Sequence, residues 1–207
     1  MYTPLSQEDI SCLKNEISNG KLLVVPTDTV YGIAANPFVP AAVDKLLTAK
    51  GRGRDFPSPV LVSSIVQASS LVREIPLLAR RFMDKFWPGA LTIVLAARQD
   101  LPLDLGVTGG TVAVRQPNQA DLLQLLAATG PLAVTSANLH GLPPAQSAAE
   151  AKSYFGDKVA AYLDAGPSQI GEPSTIVKVE GENYSLLRIG AIAPAQLSAV
   201  AGKEPKD

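Results

Sequence analysis

The sequence predicts an α/β fold: one mixed β-sheet layered with helices. Three observations lead there. Short apolar runs alternate with stretches of helical period along the whole chain, and two strand-like runs near its end lie close enough for a hairpin. Of the 207 residues, 46% are hydrophobic and 18% charged, a balance that supplies one sizeable core. The hairpin makes the sheet mixed rather than purely parallel. No repeat, low-complexity tract or linker divides the chain, so residues 1–207 are read as a single domain, with its core at about 5–195 and a flexible tail at about 202–207.

The elements follow in order. Residues 6–19 form a helix: Ile10, Leu13 and Ile17 share a face, Ser6 is the N-cap and Gly20 the stop. Lys21 to Val25 is a short strand closed by Pro26, and Val43, Leu46 and Leu47 mark a helix over 41–49. Pro59 to Val62 is a strand, residues 76–86 a helix, and Leu91 to Leu95 an apolar run typical of a buried strand. Thr111 to Arg115 is a strand stopped near Pro117, followed by a leucine-rich helix over 119–129 and a strand from Pro131 to Thr135. Ser147 to Glu150 reads as a capping box opening a helix. Ser174–Val179 and Tyr184–Ile189 make a hairpin with a loop of three to five residues around Gly181-Glu182-Asn183, and Pro194 to Ala201 closes the domain as a helix.

Composition excludes several classes. The net charge of -1 argues against charge-driven wrapping of nucleic acid, though not against a local basic cleft. One cysteine, Cys12, rules out an internal disulfide and a cysteine-built zinc site, and the single histidine, His140, leaves no histidine-rich metal centre. Met1 leads into the polar Ser6-Gln7-Glu8-Asp9, and no apolar stretch approaches the ~20 residues that span a bilayer. A cytoplasmic location without membrane attachment is expected.

Four places could carry chemistry. Pro26-Thr27-Asp28-Thr29-Val30-Tyr31-Gly32 follows a strand directly; it either contacts a ligand or forms a turn whose side chains bond their own backbone. Lys50 and Arg52 either complement the end of a helix or, in an extended segment, point to one side and suit a polyphosphate. Thr111, Ala113 and Arg115 share one face of their strand, opposite Val112 and Val114, so that face lines a cleft or is an exposed edge. Ser136-Ala137-Asn138 repeats the pattern of polar groups two apart after an apolar strand, or is merely a turn. No Walker loop and no G-x-G-x-x-G dinucleotide pattern occurs, so any nucleotide is held mostly by side chains. His140 reads as an exposed loop residue, Phe82, Phe86 and Trp87 as core, and Arg80, Arg81 and Lys85 as a solvated helix face.

Together with Phe86-Trp87-Pro88-Gly89-Ala90-Leu91-Thr92, Ser174-Thr175-Ile176-Val177 and Leu187-Arg188-Ile189-Gly190-Ala191-Ile192, these segments stand in the order seen in the YrdC-like family. The chain resembles its short, single-domain form over roughly residues 5–195. That resemblance implies a twisted sheet with a concave cationic cleft. It also implies L-threonylcarbamoyladenylate synthase activity: L-threonine, bicarbonate and ATP give threonylcarbamoyl-AMP and pyrophosphate. Magnesium would accompany ATP as substrate, with no metal site on the protein. The product would pass to tRNA threonylcarbamoyl-transferase proteins, for adenosine 37 of tRNAs reading ANN codons, with weak tRNA binding by this chain.

Carried over by motif, Lys50 and Arg52 are the catalytic cations, and Lys50, Arg52, Thr111, Ser136, Asn138 and Arg188 bind ATP. Thr29, Arg115 and Ser174 bind threonine, with Arg115 on its carboxylate. Two departures stand out. Gly53-Arg54-Asp55 follows Lys-x-Arg where the family has Pro, with Arg54 a candidate extra phosphate contact, and Ser63 stands where relatives carry a threonine-binding histidine. The rival readings are an RNA-binding module without catalysis and a carbamoyl-adenylate-forming enzyme. The latter type normally carries extra zinc-finger-like segments.

Overall fold

Nine strands form one mixed sheet in the computed structural model, which describes residues 4–206. They are β1 (Leu23–Val25), β2 (Gly32–Ala35), β3 (Val60–Leu61), β4 (Leu91–Ala96), β5 (Thr111–Arg115), β6 (Leu132–Ser136), β7 (Ala161–Tyr162), β8 (Thr175–Glu180) and β9 (Asn183–Arg188). The helices are α1 (Gln7–Ser18), α2 (Pro40–Lys50), α3 (Ile65–Ser69), α4 (Leu77–Phe86), α5 (Ala120–Thr129), α6 (Ala148–Phe155) and α7 (Pro194–Ala201). Across the sheet the order is β7-β1-β2-β6-β3-β5-β4-β8-β9. The β1–β7, β3–β5 and β4–β8 pairs are parallel and the rest antiparallel, the mixed sheet that the hairpin foretold.

Local chemistry sets the ends of several elements. Ser6 Oγ accepts from Asp9 N while the Asp9 carboxylate accepts from Ser6 N, a reciprocal cap that opens α1. Pro40 starts α2, and Gly51 ends it in the left-handed conformation at φ 64°, which a glycine adopts without steric cost. Ser147 caps α6 through Glu150 N, but the expected return bond goes one residue further back, from Gln146 N to the Glu150 carboxylate.

Three elements went unforeseen: β2, β7 and α3. The Gly32-Ile33-Ala34-Ala35 run of β2 shows no polar alternation, since both its faces are packed, and Ile33 is its one bulky side chain. The hairpin loop is also tighter than expected. Glu180 pairs with Asn183, leaving the two-residue turn Gly181-Glu182 with Gly181 at φ 60°. The tail is tethered through residue 206: Lys206 N donates to Tyr184 O and Ser198 Oγ to Glu204. Residues 1–3 and Asp207 lie outside the described part.

The helices divide the core into three clusters. α2 and α6 cover β1 and β2 with Val43, Leu46 and Phe155 against Val24 and Ile33. Further along that face, α4 and α7 bury Phe82, Met83 and Leu197 against Ile93, Val112, Val114 and Val177. Phe82, Phe86 and Trp87 are therefore core, as read from the sequence, while Arg80, Arg81 and Lys85 are exposed. On the opposite face α1 and α5 pack against Leu23, Val25, Ala34, Leu61 and Val134. Among the described residues no helix is long and apolar enough to cross a membrane.

Candidate functional site

On this second face, beyond the reach of α1 and α5, the sheet lines a cavity. β4 contributes Thr92, β5 Arg115 and β8 Ile176, and the segments around Thr27–Gly32, Arg52–Pro59, Thr135–Ser136 and Pro173–Ser174 complete the wall. Strand alternation explains the placement. Val112 and Val114 point into the core under α4, which sends Arg115 to the other side. Three arginines, Arg52, Arg115 and Arg188, face the cavity, and no acidic side chain is among its lining residues.

Arg115 is the most constrained of them. Nε donates to Gly89 O at 2.9 Å, Nη1 to Thr29 Oγ1 at 2.9 Å and Nη2 to Asp28 Oδ1 at 2.5 Å. The ion pair is buried, with side chains 7% and 3% exposed. Burial pushes the guanidinium pKa down and the Asp28 carboxylate opposes that shift. The Asp28 Oδ2 atom is buried without a partner. The Pro26–Gly32 run forms the turn whose side chains bond their own backbone, and it also lines the cavity. Thr27 Oγ1 organises the turn, donating to Val30 O at 2.6 Å and accepting from Thr29 N and Val30 N, while Asp28 and Thr29 reach outward to Arg115.

Lys50 and Arg52 do not lie in one extended segment. Lys50 is the last residue of α2 and Gly51 turns the chain there. Its ammonium is buried and donates to Ser136 O at 2.5 Å, Asn138 O at 2.7 Å and Asn138 Oδ1 at 3.2 Å. Three N–H groups meet three acceptors, so Lys50 braces the Ser136–Asn138 turn from behind. Burial first, and then the charge of Arg52, push its pKa down to about 8. Arg52 reaches the cavity itself. Nη1 donates to Thr135 Oγ1 at 3.2 Å, and the guanidinium sits 5.0 Å from the centroid of Phe56.

Ser174 and Arg188 form the opposite wall. Arg188 donates through Nε (3.0 Å) and Nη2 (2.8 Å) to Ser174 O, and through Nη2 to Ser174 Oγ at 3.1 Å. Ser174 Oγ also shares a 2.8 Å bond with Thr92 Oγ1. Burial and then the charges of Arg115 and Arg52 lower the Arg188 pKa, a sign that the three cations stand close together. Gly190 sits directly on this segment: an added Cβ would stand 2.2 Å from Pro173 O. Backbone cannot yield as a side-chain tip does. Gly190→Ala is expected to lower unfolding free energy by about 1–3 kcal/mol in a urea titration, because overpacking displaces the Ser174 strand end.

Thr29, Arg52, Arg115, Ser136, Ser174 and Arg188 therefore surround one cavity. Asn138 lies behind it, its Nδ2 donating to Leu139 O and Leu142 O. Thr111 is not brought to it: the residue sits at the far end of β5 from Arg115, with its hydroxyl on Thr108 O. Arg54 corrects a further expectation. It is exposed, stands outside the cavity lining, and its guanidinium is held by Asp44 and Asp104. His140 is an exposed loop residue beside Phe56, as expected. Asp28 and Thr92 belong to the network although their roles were not read from the sequence. Thr92 did carry a signal, a lone hydroxyl inside the apolar Leu91–Leu95 run. Among the described residues no group of three or more metal-ligating side chains comes together.

This cavity sits in a domain type with known relatives. The family model described as telomere recombination, covering Sua5, YciO and YrdC, matches residues 15–190. A Mycobacterium tuberculosis protein, provisionally named threonylcarbamoyl-AMP synthase, is 47% identical over 90% of this chain and 86% of its own length. The threonylcarbamoyl-AMP synthase of Bacillus subtilis is 38% identical over 90% of this chain, which spans 54% of that protein. The crystal structure of P. abyssi Sua5 complexed with L-threonine superposes with a TM-score of 0.92 at 33% identity, covering 99% of this chain and 61% of that one. The chain belongs to the Sua5/YciO/YrdC family.

Proposed function

We propose that this chain is a threonylcarbamoyl-AMP synthase, joining L-threonine, bicarbonate and ATP into threonylcarbamoyl-AMP and pyrophosphate. The observation that carries the reading is the trio Arg52, Arg115 and Arg188 around one cavity with no lining carboxylate, in a chain whose relatives bear that name. Such a site favours a polyanion and an amino-acid carboxylate over any cation. Arg115, set by Asp28 and Thr29, receives the carboxylate of threonine, and Ser174 and Thr29 offer hydroxyls to its polar groups. Arg52 and Arg188 face the phosphates of ATP. Ser136 and Asn138, braced by Lys50, shape the same wall.

The chemistry needs little more. Threonine and bicarbonate give a carbamate and water. A carbamate oxygen then bonds to the α-phosphorus as the bond from that phosphorus to the pyrophosphate oxygen breaks. Charge accumulates on the phosphoryl oxygens and the departing pyrophosphate, and nearby guanidinium groups stabilise it. No covalent enzyme intermediate is required. Magnesium enters as the complex of ATP, and the product goes to transferase proteins that modify adenosine 37 of tRNAs reading ANN codons. Such work belongs in the cytoplasm.

The test is pyrophosphate release by purified protein with ATP, magnesium and bicarbonate, with and without L-threonine. Threonine-dependent release is expected. Release that ignores threonine would point to another acceptor. RNA binding that weakens steeply with salt, without ATP turnover, would favour the binding-module reading.

A further inference from the structure

Between α2 and β3 the chain runs from Gly51 to Pro59, and from this segment Arg52, Pro57 and Pro59 reach the cavity. Arg54 stands at its middle and faces the other way. One arm of its guanidinium meets Asp44, on the exposed side of α2, and the other meets Asp104 in the loop before β5. Two backbone features join the same two loops. Val107 N donates to Arg54 O at 2.9 Å, and Gly106, at φ 95°, passes so close that a Cβ there would lie 2.4 Å from that oxygen. Asp104 is itself anchored, its amide donating to Pro37 O at 3.2 Å and its carboxylate accepting from Gly106 N at 3.3 Å.

We propose that Arg54 is a positioning residue: with Asp44 and Asp104 it clasps the Gly51–Pro59 segment so that Arg52 is held ready in the nucleotide cavity. The inference rests on the synthase reading for the identity of the ligand, ATP. Exposed ion pairs add little to global stability, so the clasp acts locally. Its work is to order a segment that otherwise would have to be ordered by the nucleotide on binding. The Gly53-Arg54-Asp55 departure from the family pattern thus serves ATP affinity without touching phosphate.

Arg54→Ala and the double variant Asp44→Asn with Asp104→Asn separate positioning from direct contact. Both are expected to raise KM for ATP about fivefold to tenfold, as lost preorganisation does, with kcat and KM for threonine unchanged. Arg54→Lys should recover part of the loss. Wild-type ATP affinity in the double variant, beside a loss in Arg54→Ala, would overturn the proposal in favour of phosphate contact. Unchanged affinity in both would overturn it outright. Limited trypsin digestion reads the clasp without ligand, and cleavage after Arg52 should accelerate in the double variant. If wild-type protein failed to bind ATP, the synthase reading would fall, and unchanged cleavage would then overturn the clasp as well, whereas accelerated cleavage would uphold it.

Discussion

Arg115→Lys is expected to fold and to bind threonine at least tenfold more weakly, while Arg115→Ala should lose threonine-dependent pyrophosphate release altogether. The guanidinium supplies a planar fork to Gly89, Asp28 and Thr29 and still offers N–H groups to a carboxylate. Lysine keeps the charge and loses the fork. A charge-assisted hydrogen bond is worth about 1.5–3 kcal/mol, which corresponds to roughly tenfold or more in KM for threonine. Alanine does something different, because it strands Asp28 in a buried site. Breaking a buried pair on one side typically costs about 3–5 kcal/mol, so Arg115→Ala should also unfold at lower urea. Steady-state kinetics across threonine concentrations decide the matter. Arg115→Lys with the wild-type threonine KM would remove the carboxylate from this position.

Lys50→Met is expected to damage the wall formed by the Ser136–Asn138 turn. It preserves the stem that fills the end of α2 but leaves Asn138 O and Asn138 Oδ1 without their donor, while Ser136 O keeps only the bond from Asn138 N. Each buried acceptor so abandoned costs about 1–3 kcal/mol, and the turn that carries Ser136 should lose its shape, taking ATP binding with it. The same lysine carries a pH signature. Its folded pKa of about 8 lies below the ordinary 10.5. Between those values the unfolded chain holds a proton that the folded chain does not, so this group's contribution to stability rises with pH. The wild-type stability measured relative to Lys50→Met should grow by about 2 kcal/mol between about pH 7.5 and 9.5. A difference that shrank over that interval would show that the three acceptors, rather than burial, govern the proton.

What could be read before the structure follows the range of the interactions. The caps at Ser6 and Ser147, the stop at Gly20 and the alternation of Thr111–Arg115 involve neighbours within a few positions, and each is found at an element end or on a strand face. The resemblance likewise named Thr29, Arg52, Arg115, Ser136, Ser174 and Arg188, which all line the cavity. What stayed hidden are partners far along the chain. Lys50 serves acceptors 86 and 88 residues away, and Arg54 finds Asp104 across 50 positions. No periodicity encodes those meetings. Asp28 escaped for the same reason: within Pro26–Gly32 it reads as a turn residue, and only Arg115, 87 positions later, makes it an ion-pair partner.

Those separations also bear on how the chain acquires its site. Thr29 with Arg115, Arg52 with Thr135 and Thr92 with Ser174 are each joined across 82 to 86 residues. Contacts of such span form late, because closing a long loop costs entropy before the contact rewards it. A partly folded chain with β1 and β2 paired but β5 and β8 unplaced would hold the arginines apart and have no cavity. Ligand affinity therefore marks a fully formed sheet, and substrate in the cavity stabilises the whole molecule rather than one loop.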